Sequence, residues 1–284
     1  MNAERGSFRQ LLGTLLRNRA AAASSVFLVV LIFCAVLAPV VAPYDPVAID
    51  ADKVLQPPGP EHWFGTDDTG RDVLSRVVWG ARISLRVGLI SSGIATIAGL
   101  ILGLLSGFYG GVVSFVILRT MDLLLAFPGV LLAIVIVAIL GASLENVMIA
   151  VGISAIPAFT RIVHGSALAQ NQLDFVDAAR LIGSSNGRIV VRHILPNILA
   201  PVIVLSTLQV ASAIFGAASL SFIGLGAQPP TPEWGAMVSR GRYNLREAMW
   251  LSTFPGLAIA LVVVAINILG DGLRDALDPR MQVR

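Results

Sequence analysis

Three histidines, one cysteine and a few acids are the residues in this chain that could do acid–base, nucleophilic or metal chemistry. Histidine titrates near neutral pH and is the commonest metal ligand, and a thiolate is the usual soft nucleophile. Both uses need partners at set spacings. His62, His164 and His193 are scattered, and none belongs to a His-Glu-x-x-His helix of the kind that holds zinc. Cys34 lies in an apolar run with no second cysteine to pair with, so it reads as a small hydrophobe. Arg119 and Asp122, three apart, can pair on one helix face; that structural role outweighs a proton relay. Asp122 and Glu145 are the acids nearest the apolar runs, and both sit at run ends. The Gly-rich Lys-Ser/Thr sequence that cradles nucleotide phosphates is missing, so ATP hydrolysis by this chain is not expected. The residues available for binding are uncharged. Ser206, Gln209, Ser212 and Asn267 fall in apolar stretches, where each polar group needs a partner, and they are the candidates for lining a cavity.

One polar stretch has a definite local design: Asp174-Phe175-Val176-Asp177-Ala178-Ala179-Arg180-Leu181-Ile182-Gly183, continuing to Arg192-His193-Ile194-Leu195-Pro196-Asn197. Asp174 or Asp177 suits a helix start, where a carboxylate meets the positive end of the helix dipole. A short helix from Val176 to Ile182 follows, and Gly183 is placed to end it by taking a positive φ. A second short helix runs from about Gly187 to Ile194 and is stopped by Pro196. Two short helices of this kind make a knob that fits a groove on a soluble partner.

The elements around this knob are apolar. Hydrophobic residues make up 56% of the 284 residues and charged residues only 13%, about half the usual share of a soluble domain. Mean hydropathy is +0.82. The basic pI of about 9.6 accompanies a net charge of only +3, and the basic residues lie between apolar runs rather than in a groove for nucleic acid. A span needs about 20 apolar residues. Six are expected: roughly 22–42, 86–107, 119–141, 145–164, 197–222 and 249–270. The first reads as an uncleaved signal-anchor helix rather than a signal peptide, because its apolar core exceeds the usual h-region and Pro43 follows Ala42. With the N-terminus inside, twelve basic residues fall inside and eight outside, a moderate bias that places both termini in the cytoplasm. The inside set includes Arg5, Arg9, Arg17, Arg280 and Arg284.

Two outside segments stand between spans. In 45–85, Asp72 to Leu85 reads as an amphipathic helix lying on the membrane, with Val73, Leu74, Val77 and Val78 apolar and Arg76, Arg82 and Arg86 polar. In 226–247, rich in Pro and Gly, Trp234 is expected at the interface along with Trp250 just beyond it. Ala95, Gly99, Gly103 and Gly107 form a small-residue stripe for close helix approach, the partner left open. Pro128, Pro157 and Pro255 are expected to kink their helices. The chain then divides into an N-terminal tail and first span (1–45), an outer segment with an interfacial helix (46–85) and an all-α membrane core (86–284) that contains the knob at 174–197.

The knob is similar to the Glu-Ala-Ala loop of permease subunits in bacterial ATP-binding-cassette importers: Glu-Ala-Ala, three residues, Gly, nine residues, Ile, one residue, Leu-Pro. This chain matches at Ala178, Ala179, Gly183, Leu195 and Pro196 and departs with Asp177 for Glu and His193 for Ile. His193-Ile194-Leu195-Pro196-Asn197 resembles the peptide/nickel branch. His62-Trp63-Phe64-Gly65-Thr66-Asp67, Gly70-Arg71-Asp72 and Ser75-Arg76 resemble the outer segment of the C-type permeases of dipeptide and oligopeptide systems. Leu220 to Gly226, Trp234-Gly235 and Gly270 to Arg280 do likewise.

The resemblance implies a type I importer permease fold of about six spans in the bacterial cytoplasmic (inner) membrane. It implies a second homologous permease, two ATPase subunits holding ATP and Mg, an extracytoplasmic substrate-binding protein, and no cofactor or metal on this chain. The ATPases are expected to dock at Asp174, Phe175, Val176, Asp177, Ala178, Ala179, Arg180, Gly183, His193, Leu195 and Pro196. The expected cargo is di- or oligopeptide, with nickel chelates, glutathione or opines as alternatives. An ion-coupled secondary transporter is the alternative from another class; it would call for carboxylates within the spans, which this sequence keeps at their ends.

Overall fold

The computed structural model describes residues 18–277, so the expectations placed on Arg5, Arg9, Arg17, Arg280 and Arg284 lie outside the described residues. The described chain is helical: α1 (Arg19–Val36), α2 (Ala38–Val41), α3 (Val73–Tyr109), α4 (Gly111–Leu125), α5 (Gly129–Leu140), α6 (Leu144–Asn171), α7 (Asp174–Leu181), α8 (Asn186–Ile189), α9 (Leu195–Phe222), α10 (Trp234–Gly241) and α11 (Trp250–Leu277). Five helical stretches are long and apolar enough to span a membrane; α4 with α5 makes a sixth if taken together.

α3 and α6 form the spine. A Cβ added at Gly99 would stand 2.3 Å from the Phe159 Cβ, at Gly103 2.5 Å from the Val163 Cβ, and at Gly107 2.8 Å from the Ala167 Cβ. The small-residue stripe on α3 thus faces α6, and only glycine lets the two backbones come this close. Between helices in lipid, such packing is a main source of association. The contacts rise together in both helices, from Ser91 Oγ donating to the Met148 carbonyl at 2.9 Å to Gly107 on Ala167, so α3 and α6 run parallel. A parallel pair needs a return crossing between them, and α4 and α5 supply it. They meet at 91°, because Pro128, unable to donate a backbone hydrogen bond, ends the helix of α4 and starts that of α5. The single span expected over 119–141 is therefore a broken one. Asp122 on α4 pairs with Arg161 of α6 across the helices and, more loosely, with its expected partner Arg119 at 3.8 Å.

α9 runs antiparallel to α3: its start, at Ile198 and Val202, clusters with Leu104, and further on Ile214 meets Gly88. The Asn186–Phe222 stretch is one continuous helical path. A π turn over Val190–Ile194 joins α8 to α9, and Pro196 sits in the first turn of α9, where a missing N–H costs nothing. The expected stop at Pro196 is therefore a start. α11 begins against the outer segment, with Phe64 stacked on Phe254 at 3.8 Å, and passes Thr207 and Leu208 at Gly270. The ends of α1 and α11 at Arg19 and Leu277 accordingly lie at the knob's end of the bundle, opposite the outer segment.

The outer segment changes the reading of 72–85. α3 is a single helix of 37 residues that starts at Val73. Arg76, expected on a wetted face, is 3% exposed. Its Nη1 donates to the Pro46 carbonyl at 2.7 Å and its Nε lies 3.6 Å from Asp67 Oδ2. Asp72 caps the helix, accepting from the Ser75 N–H at 2.7 Å, and its other oxygen meets His62 Nδ1 at 2.9 Å. Trp234 is likewise not an interfacial anchor. It is 1% exposed and donates to the Val77 carbonyl at 2.9 Å. Asp67 organises the loop before α3: it accepts from the Thr69 N–H, the Arg71 N–H and the Arg71 Nε, the last at 2.7 Å. Burial alone would raise the Asp67 pKa, but the Thr69 and Arg71 donors outweigh it and hold the carboxyl below its usual 3.8.

Two outcomes follow from this packing. Gly103→Leu forces a side chain into Val163 and is expected to cost about 1–3 kcal/mol or more, lowering the melting temperature in detergent, whereas Gly93→Ala, with nothing within 4 Å, leaves it unchanged. A depressed carboxyl contributes stability fully present above pH 3.8 and lost as pH falls through the lower folded value. Asp67→Asn should therefore destabilise the chain at neutral pH and flatten its melting-temperature profile below pH 4, read by differential scanning fluorimetry.

Candidate functional site

The knob projects from the end of the spine. α7 begins at Asp174 with acids in its first turn, Asp174 and Asp177. Its stop is a full Schellman closure: Gly183 takes φ +80°, its N–H donates to the Arg180 carbonyl at 3.0 Å, and the Ser184 N–H donates to the Ala179 carbonyl at 3.0 Å. Val176 and Ala179, on one face, are buried in a cluster with Leu104, Phe108, Val163, Ile189 and Ile194. The knob is thus seated on the ends of α3, α6 and α9 together.

Arg180 locks that seat. One nitrogen donates to Asp177 at 2.9 Å and another to Asn171 Oδ1 at 2.6 Å. Asn171 in turn donates to the Phe108 carbonyl at 3.2 Å, and the guanidinium stands 5.7 Å above the Phe108 ring. Phe175 and His193 face each other at 6.4 Å, which ties α7 to the π turn. Leu195 is half-buried, whereas Asp174, Asp177, Ala178 and Pro196 are exposed. Leu181 and Ile182 at the tip are 88% and 82% exposed. An apolar pair at the tip of a polar loop is what a partner would cover; the sequence reading did not single these two out, although they lie between the matched Ala179 and Gly183.

The second feature is a cavity of about 1130 Å³ between α1, α3, α9 and α11. Its walls are mainly Leu, Ile and Val. Ser206 lines it, with Ser92, Thr96 and Thr207. Thr96 Oγ1 and Ser206 Oγ share a 2.9 Å hydrogen bond, and Ser92 donates to the Ser206 carbonyl at 2.9 Å. Gln209, Ser212 and Asn267 are not among the lining residues. Ser212 donates within its own helix, to the Leu208 carbonyl at 3.3 Å, and Asn267 is exposed on α11. Helical spacing explains the split: α9 shows the cavity the face of Leu199, Val202, Ile203, Ser206, Thr207 and Val210, which Ser212 misses. The cavity also takes Arg82 and Arg86 from α3, two residues first read as facing solvent on a surface helix.

Residues 99–283 match the family described as the binding-protein-dependent transport system inner membrane component. Residues 7–58 match the N-terminal transmembrane domain of oligopeptide transport permease C. The chain is 46% identical to the dipeptide transport system permease protein DppC of Alkalihalophilus pseudofirmus, over 97% of this chain and 90% of that protein. It is 44% identical to the glutathione transport system permease protein GsiD of Pectobacterium atrosepticum, over 98% and 93%. A third relative is the di/tripeptide transport system permease protein DppC of Pseudomonas aeruginosa, at 47% over 93% and 89%. Among solved structures, a chain of the inward-facing MetNI methionine ABC transporter superposes with a TM-score of 0.58 at 19% identity, covering 72% of this chain and 96% of that one. That likeness is one of fold. The sequence matches carry the membership: this chain belongs to the family of binding-protein-dependent transport system inner membrane components, the membrane-spanning permeases of ABC importers.

Proposed function

We propose that this permease carries di- and oligopeptides inward across the cytoplasmic membrane, as one of two related membrane subunits driven by two ATPases. An extracytoplasmic binding protein delivers the cargo at the outer segment. ATP and Mg belong to the ATPase subunits; this chain contributes no catalytic group. The observation that carries the reading is the knob: an apolar tip at Leu181 and Ile182, 88% and 82% exposed, on a helix seated on three spans at once. Covering two such side chains is worth about 1.5–3 kcal/mol each. The knob's end then faces the cytoplasm, in keeping with the basic bias of that side, and both termini lie there too.

The mechanism is mechanical. When the ATPases close, each pushes the knob of its permease. Because Val176 and Ala179 pack with Leu104, Val163 and Ile198, a displacement of α7 moves α3, α6 and α9 as a body, and the cavity that α3 and α9 bound with α1 and α11 alternates between inward and outward openings. Named relatives transport dipeptides, di/tripeptides and glutathione. Glutathione is itself a short peptide and is the second reading of the cargo. An ion-coupled secondary transporter is not carried further, since the family is binding-protein-dependent.

Gly183 gives the test. A Cβ there would meet nothing within 4 Å, so only its φ matters. Asn tolerates a positive φ and a β-branched residue does not. In the reconstituted complex, Gly183→Asn should retain near-normal uptake. Gly183→Val should cut peptide uptake about tenfold or more while the complex still inserts and hydrolyses ATP. Normal uptake by Gly183→Val would contradict the coupling role of the knob.

A further inference from the structure

Asp122 and Arg161 stand at the ends of apolar runs in the sequence, but the packing sets them inside an apolar belt. Arg161 follows Phe159 and Thr160, which meet Gly99, and precedes Val163, which meets Gly103. Its level on α3 is therefore about 12 Å short of Tyr109, in a stretch that carries no charge from Val87 onward. Asp122 lies about 16 Å along α4 from Gly111. On α4 it is bracketed by exposed apolar side chains, Val112, Phe115 and Val116 before it and Leu123 and Phe127 after it. Within this belt the Arg161 side chain is 53% exposed and that of Asp122 36%. Arg119, at 68%, shares the same carboxylate. Charges at such depth face protein or water, because lipid does not solvate them.

The surface around the pair is of the same kind. Ala158, Arg161, Ile162 and Gly165 fall on one face of α6 by their three- and four-residue spacing. All four are exposed, and a Cβ at Gly165 would meet nothing within 4 Å. Two turns outward on this face, Val151 lies 3.8 Å from where a Cβ on Gly216 of α9 would stand. The α9 stripe Gln209, Ser212, Gly216 and Ser219 thus adjoins the α6 stripe. Ser212 is exposed. The Ser212 and Ser219 hydroxyls donate back to their own helix, at the Leu208 and Phe215 carbonyls, so among the described residues neither ties α9 to another span. The exposed side of α5, at Val130, Leu131, Val135 and Ile139, is by contrast wholly aliphatic, as lipid requires.

We infer that the α6–α9 face is where the second permease packs. The inference rests on the reading of this chain as one of two related membrane subunits. Ala158, Gly165 and Gly216 let the backbone of a covering helix come close. Two arginines share the one carboxylate of Asp122, so that helix brings an acceptor, a carboxylate or an amide, to Arg119 or Arg161. The large cavity lies on another side of α9, lined by Ser206 and Val210 and not by Ser212, which leaves this face to the partner.

The test uses the assembled complex in liposomes, with Cys34→Ala and one added thiol: Ser212→Cys or Ala158→Cys on the inferred face, or Val135→Cys on α5 for comparison. Each thiol carries a benzophenone maleimide. Composition is read first. A complex of this chain and ATPases without a second permease defeats the two-subunit reading, and the interface with it. With a second permease present, irradiation should join it to this chain from Ser212→Cys and from Ala158→Cys, whereas Val135→Cys should give lipid adducts alone, as identified by mass spectrometry. Loss of the second permease on labelling Ser212→Cys or Ala158→Cys, with the labelled Val135→Cys complex intact, supports the same face. Lipid adducts alone from all three, or permease adducts from all three alike, overturn the assignment. So does rapid reaction of Ser212→Cys in the assembled complex with a membrane-impermeant thiol reagent, which assigns the face to a water-filled passage.

Discussion

Backbone-close packing of α3 on α6 is the constraint from which the other features follow. Three glycines on α3, at 99, 103 and 107, bring it against Phe159, Val163 and Ala167 of α6. Gly152 of α6 returns the fit against Ile94. The two helices run parallel, so the chain between them must recross, and it does so through the α4–α5 break at Pro128. The same packing brings the ends of α3 and α6 together, where Phe108 and Asn171 receive Arg180 and seat the knob. The outer segment then lies at the opposite end of one unbroken helix.

Charge is distributed to suit a mechanical part. Ionic groups gather at the outer segment, at the Asp122–Arg161 contact and in the knob. Between them the spans touch through small side chains and hydroxyls, such as Ser92 and Thr96 with Ser206. Those hydroxyls find partners within the bundle, so the helices can shift as a body without stranding a polar group in lipid. The buried network around Asp67, Arg71 and Arg76 holds the start of α3 as firmly as the knob holds its end.

How much of this was legible in the sequence depended on the range of the interactions. Spans and the knob were readable because hydropathy, a helix-stopping Gly183 and a small-residue stripe are local signals. The start of α3 was misread because the partners that bury Arg76, the Pro46 carbonyl and Asp67, are brought to it by a fold no periodicity reveals. Trp234 looked amphipathic until its N–H met Val77, far away in sequence. Pro196 was taken as a stop because a π turn ahead of it leaves no trace in composition. In the cavity the polar residues were chosen by type. Ser206 was placed there by its face of α9, while Gln209, Ser212 and Asn267 were not, and the two arginines of α3 were overlooked because they seemed to belong to a surface helix.

The central claim is that the loop at 174–197 is where an ATPase pushes. Site-directed cross-linking tests it most directly. Cys34 is the only cysteine, so a Cys34→Ala chain carrying Leu181→Cys, at the exposed tip, presents one thiol. In the assembled complex a short cross-linker should join it to an ATPase subunit, with a yield that changes between ATP-bound and nucleotide-free states. An adduct formed instead from Trp63→Cys, exposed on the outer segment, with none from Leu181→Cys, would contradict the account.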